Sequence, residues 1–99
     1  YDAIKQAVEA VDLYTEEVVE AAVKQDYSIL IIADHGNADY ALNNDGTPNT
    51  AHSKNPVPCF LINSKYDKIN NGILADIAPT ILELMGVDKP NEMTGQSLI

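Results

Sequence analysis

Two short aliphatic runs that do not alternate with polar residues constrain the fold most. Ile29-Leu30-Ile31-Ile32 and Val57-Pro58-Cys59-Phe60-Leu61-Ile62 have the length of strands and are too short for helices. A strand that is apolar at consecutive positions has two faces to bury, as in a parallel sheet covered by helices. Helical periodicity stands on both sides of the pair to supply that cover. Within residues 3–25, Ile4, Ala7, Val8, Val11, Val18, Val19, Ala22 and Val23 recur at spacings of three and four and form one apolar stripe. The opposite face carries Lys5, Glu9, Asp12, Glu16, Glu17, Glu20 and Lys24, a solvated charge run. Asp2 is placed to cap this helix. A second helix is expected from Ile77 to Met85, capped by Asp76, with Pro79 tolerated in its first turn and Gly86 as its stop.

The strands are expected over about Ser28–Ala33 and Val57–Ile62, with Pro58 confined to the start of the second. Between them, Asn37 to Asn55 is loop-like, with a dense turn cluster at Asn43-Asn44-Asp45-Gly46-Thr47-Pro48-Asn49 and room for a short helix over Ala38–Leu42. Its length suits a functional loop better than a plain connector. Asn63 to Gly72 is a polar turn, and the tail from Val87 to Ile99 has no periodicity. The expected order is helix, strand, long loop, strand, helix, an α/β layer pattern. Two strands make a poor free-standing sheet. They read as part of a larger, mostly parallel sheet covered by helices and incomplete in this chain.

Charge narrows the function classes. The net charge is −9, and all six basic residues are lysines. Without arginine there is no bidentate grip for phosphate or carboxylate, and the acidity argues against a nucleic-acid surface. No stretch approaches the ~20 apolar residues that span a bilayer, and no basic head precedes an apolar core as in a secretory signal. The lone cysteine, Cys59, reads as a small buried hydrophobe in a reducing, cytoplasmic compartment. The 99 residues make one domain or a piece of one. Because the chain opens on Tyr1-Asp2 and enters a helix at once, with no initiator Met, a processed or truncated origin is expected.

The chemistry gathers at the end of the first strand. Ala33-Asp34-His35-Gly36-Asn37 sets a carboxylate beside an imidazole where sites collect in α/β proteins. Adjacent strand residues point to opposite faces, so Asp34 and His35 converge on one ion only if the chain bends after Ala33. Gly36 makes that bend cheap and permits close backbone approach. The other histidine, His52, stands in Thr50-Ala51-His52-Ser53-Lys54-Asn55-Pro56-Val57-Pro58, where the turn-rich loop can return it over the same strand ends. Mixed oxygen and nitrogen ligation by Asp34, His35 and His52 suits Mn²⁺ or Zn²⁺ better than Mg²⁺. The three residues suffice for one ion with an open position, or divide between two ions whose other ligands lie elsewhere. Asp39 and Asp45 also lie in the loop, but loop aspartates usually close Asx turns.

Four blocks carry a more specific signal: Ala33-Asp34-His35-Gly36-Asn37-Ala38, His52-Ser53-Lys54-Asn55-Pro56-Val57-Pro58, Asp76-Ile77-Ala78-Pro79-Thr80-Ile81-Leu82 and Glu92-Met93-Thr94-Gly95-Gln96-Ser97-Leu98-Ile99. In this order the chain closely resembles the C-terminal part of the cofactor-independent phosphoglycerate mutases of the alkaline phosphatase superfamily. Ala7-Val8-Glu9-Ala10-Val11-Asp12 resembles the same family's helix. The resemblance implies an α/β domain, of which residues 1–99 are the C-terminal portion, without the substrate-binding domain. It implies interconversion of 3-phosphoglycerate and 2-phosphoglycerate through a phosphoserine, with two Mn²⁺ ions or Zn²⁺, Mg²⁺ or Co²⁺ in their place. It also assigns Asp34 and His35 to the ion that activates the serine, and His52 to the other.

The family's nucleophilic serine, a neighbouring aspartate ligand, a further Asp and His, and the arginine-rich substrate domain would all lie upstream of Tyr1. Ser53 matches a position beside a metal ligand and not the nucleophile, and Lys54 matches no catalytic role. The chain alone is therefore expected to be inactive. Competing expectations are a portion of another metal-dependent phosphomutase such as phosphopentomutase, a module that self-associates through its uncovered helix stripe and sheet edge, and a small free-standing metal-binding protein.

Overall fold

The computed structural model describes residues 2–49 and 51–99. They form two compact units, one ending at Asn63 and the other Ser64–Ile99.

The first unit opens with α1 (Asp2–Lys24). Asp2 is already helical, and Tyr1 lies outside the described residues. The helix ends in a Schellman arrangement: Asp26 takes a left-handed φ of 60° and the Tyr27 amide donates to the Ala22 carbonyl at 3.0 Å. Asn63, also left-handed, then donates from Nδ2 to the Tyr27 carbonyl at 2.8 Å and to Asp26 Oδ1 at 3.2 Å. These bonds tie the helix end to the residue that follows the second aliphatic run. The apolar stripe is only partly covered. Ile4, Val19 and Ala22 are half-buried, whereas Val11 and Val18 are 65% and 68% exposed.

The two aliphatic runs become β1 (Ile29–Ile31) and β2 (Phe60–Ile62), each shorter than expected. They pair with each other antiparallel, Ile29 opposite Ile62, Leu30 opposite Leu61 and Ile31 opposite Phe60. The expected parallel sheet is therefore not what these strands form together. Parallel neighbours need a crossover of a dozen or more residues, usually a helix. Here, among the described residues between the strands, the helical structure is one 3-10 turn, Ala38–Tyr40, and the chain returns as an irregular hairpin. Burial on both faces is not realised either: Phe60 is exposed and Cys59 is half-buried.

In the second unit, a 3-10 turn (Leu74–Asp76) runs into α2 (Ile77–Leu84). Gly86, at φ 71°, stops the helix as expected, with the Val87 amide donating to the Leu82 carbonyl at 2.8 Å. Asp76 does not cap α2 with its side chain. Its carboxylate accepts from the Ile73 amide at 2.8 Å and from the Gln96 amide at 2.9 Å. These two bonds hold it below the usual carboxylate range, the Gln96 amide contributing most. The aperiodic tail thus folds back onto the helix start. Thr80 and Leu98 form the buried centre of this unit, at 0% and 7% exposure. Gly95 is required there, because a Cβ at that position would run into the Ala75 carbonyl oxygen.

Candidate metal centre

His35 leaves β1 and His52 arrives along the returning arm of the loop. The backbone joins the arms at an antiparallel bridge between Gly36 and Ser53. Gly36 donates to the Ser53 carbonyl at 3.2 Å and Ser53 donates back at 2.7 Å. The bridge brings the two imidazoles face to face, with ring centres 3.7 Å apart and planes tilted by 31°. The expected return of His52 over the end of β1 is what the backbone does.

Asp34 and His35 also meet. Asp34 Oδ1 lies 3.5 Å from His35 Nε2. The Gly36 carbonyl lies 3.0 Å from His35 Nδ1, so it takes the proton of the tautomer protonated there. In that tautomer Nε2 carries the free lone pair, 3.5 Å from the carboxylate oxygen. An imidazole nitrogen and a carboxylate oxygen at this separation suit a cation held between them. With bonds of about 2.1 Å, their separation corresponds to an angle of roughly 105–120° at an ion, close to tetrahedral. The donor set is thus chemically fit for a borderline divalent metal.

The stacked rings behave differently. Imidazoles sharing one tetrahedral ion have centres roughly 5 Å apart, more than the 3.7 Å seen here. Among the described residues no group of three or more His, Cys, Asp or Glu side chains converges to hold one ion. The chain therefore brings together a pair, Asp34 and His35, with His52 stacked beside it.

The loop aspartates divide. Asp45 closes an Asx turn, accepting from the Thr47 hydroxyl at 2.6 Å and the Thr47 amide at 3.0 Å, which lower its pKa. Asp39 instead reaches across the loop. Its Oδ2 accepts from Asn55 Nδ2 at 2.6 Å and Ser53 Oγ at 2.9 Å, and these bonds hold it below the usual range. The chain bends at Asp34 and His35, as expected, and Gly36, which is not among the left-handed glycines Gly46 and Gly86, leaves room for the Asp39 contact. A Cβ on Gly36 would stand 2.7 Å from Asp39 Oδ1 and 2.9 Å from Ser53 Cβ. Nothing in the sequence marks Asp39 as the loop's clasp, since its partners are far along the chain.

The sequence pattern of the Metalloenzyme superfamily matches residues 1–89. A 2,3-bisphosphoglycerate-independent phosphoglycerate mutase of Bacteroides thetaiotaomicron is 60% identical over the whole chain, which covers 20% of that protein. One of Parabacteroides distasonis is 57% identical with the same coverage. One of Flavobacterium johnsoniae is 52% identical over 99% of the chain, which covers 19% of it. The chain thus spans about a fifth of the length of the curated relatives it matches.

Proposed function

This chain belongs to the Metalloenzyme superfamily, and we propose that it is the C-terminal, metal-binding portion of a phosphoglycerate mutase interconverting 3-phosphoglycerate and 2-phosphoglycerate. The observation that carries this reading is the Gly36–Ser53 bridge, which sets His52 beside the Asp34–His35 pair in a chain akin to enzymes of that name. Asp34 and His35 serve one ion and His52 a second; the ring spacing, short for a shared ion, supports the division. Manganese is the preferred metal, with Zn²⁺, Mg²⁺ or Co²⁺ as alternatives. Divalent ions bound there would neutralise charge on a transferring phosphoryl group and activate its acceptor.

The chain's own residues have narrower tasks. The Gly36 carbonyl orients the His35 ring and keeps Nε2 available. Ser53 is engaged structurally: its hydroxyl donates to Asp39 and accepts from the Asn55 amide at 3.1 Å. Asp39, with its pKa depressed, is a poor base for activating it. The chain has no arginine to grip phosphate, and the family resemblance puts the nucleophile in another part of the enzyme, so the isolated chain is expected to be inactive. A cytoplasmic location follows from the proposed activity. Isolated chains self-associate, a reading favoured by the exposed Val11, Val18 and Phe60.

A chimera tests the assignment. Replacing the matching fifth of the B. thetaiotaomicron mutase with this chain is expected to preserve turnover. His35→Ala or His52→Ala in that chimera should lower kcat by more than the ~10–100-fold typical of groups behind the ligands. Full activity in both variants would reject the metal assignment. Turnover of 3-phosphoglycerate by the purified chain, free of host enzyme, would overturn the prediction of inactivity.

A further inference from the structure

We propose that Asp39 is a positioning residue for the metal centre, holding the His52 imidazole against His35 through hydrogen bonds from Ser53 and Asn55. The inference rests on the metal-site reading above and assigns a task to a residue outside its ligand set. Asp39 stands on the outgoing arm of the loop, while Ser53 and Asn55 stand on the returning arm directly after His52. One carboxylate oxygen, Oδ2, receives both side chains, at 2.9 and 2.6 Å. The other, Oδ1, lies close over Gly36, where a Cβ would come within 2.7 Å of it. Gly36 is itself buried and paired through its backbone with Ser53. The same carboxylate therefore binds the two side chains that follow His52 and packs against the residue that follows His35. The His52 ring is exposed, so its place beside His35 is set by the backbone that carries it. Charge-assisted bonds of this kind are about twice as strong as neutral ones, which suits a clasp made from an otherwise exposed loop.

The test uses the full 99-residue chain, first without metal. The nuclear Overhauser contact between the two imidazoles reports their stacking, and the α1 amide signals report that the first unit stays folded. Asp39→Ala should abolish the ring contact. Asp39→Asn, which keeps a carbonyl acceptor without the charge, should only weaken it. In a Ser53→Ala/Asn55→Ala background, Asp39→Ala should add no further loss, because the carboxylate acts through those partners. Mn²⁺ is then added alone. In the wild type, paramagnetic broadening should reach both rings together. In Asp39→Ala, broadening of His35 should be unchanged while His52 requires at least about 10-fold more Mn²⁺. An intact ring contact in Asp39→Ala, or His35 and His52 losing Mn²⁺ response equally, would overturn the inference. If Asp39→Ala unfolds the unit, Asn55→Ala removes a single bond to the same oxygen, and an undiminished ring contact there overturns it equally. Wild-type rings indifferent to Mn²⁺ would reject the metal reading instead, and the ring contact would still decide whether Asp39 is the clasp.

Discussion

Replacing Thr80 by valine tests what holds the second unit together. Thr80 is fully buried, and its hydroxyl joins two segments that share no regular structure. Oγ1 donates to the Asp76 carbonyl at 2.7 Å and accepts from the Leu98 amide at 2.9 Å. Leu98 in turn accepts from the Asn70 amide at 2.8 Å, so one side chain links the helix to both the tail and the segment before the helix. Valine matches threonine in shape but offers the Leu98 amide only a methyl group. A buried donor left unpaired costs about 1–3 kcal/mol. At 1.4 kcal/mol per factor of ten, the opening equilibrium at Leu98 rises roughly 5- to 140-fold. Thr80→Ser is the control, since it keeps the hydroxyl and removes one methyl worth about 0.8 kcal/mol. Amide hydrogen exchange resolved by NMR reads both effects. The serine variant should lower protection evenly across α2 and the tail. The valine variant should lower it further and selectively at Leu98. Equal Leu98 protection in the two variants would refute the reasoning, because the hydroxyl would then contribute no more than its neighbouring methyl.

Gly95→Ala drives a methyl group into the Ala75 carbonyl and is expected to destabilise the unit by about 1–3 kcal/mol, read as a lower urea midpoint. Acid should release the tail from Asp76, whose folded pKa is lowered by the Gln96 and Ile73 amides. A depressed carboxylate contributes its stabilisation above the unfolded value of about 3.9 and loses it as pH falls through the lower folded value. The Ile73 and Gln96 amide shifts should therefore titrate below pH 3.9 in the wild type and not in Asp76→Asn, as followed by NMR. Val11→Lys and Val18→Lys alter exposed positions of α1, so each should change stability by less than about 0.5 kcal/mol. Both should also reduce self-association measured by light scattering, and an unchanged oligomer would remove α1 from the contact.

Particular residues show where reading the sequence succeeds and where it stops. The three-and-four spacing of Ile4, Val8, Val11, Val19 and Ala22 predicts α1, and Gly86 marks the end of α2, because both signals lie within one or two helical turns. The aliphatic runs mark the strands, but their lack of alternation does not give the direction in which these two pair. Here the connecting segment returns as a hairpin and not as a helical crossover, and the two strands pair antiparallel. Asp76 reads as a helix cap from its position alone, yet its carboxylate is used by Ile73 and by Gln96, across the chain.

By itself, then, the sequence determined the helices, the strand positions and the residue types at the candidate metal centre. Those depend on local periodicity, turn preference and ligand chemistry. Only the tertiary structure decided that the strands run antiparallel, that His35 and His52 stack, that Asp39 clasps the loop and that the tail closes over Thr80. Each of these depends on backbone and side-chain bonds between residues distant in sequence, whose partners are chosen by how the chain returns on itself.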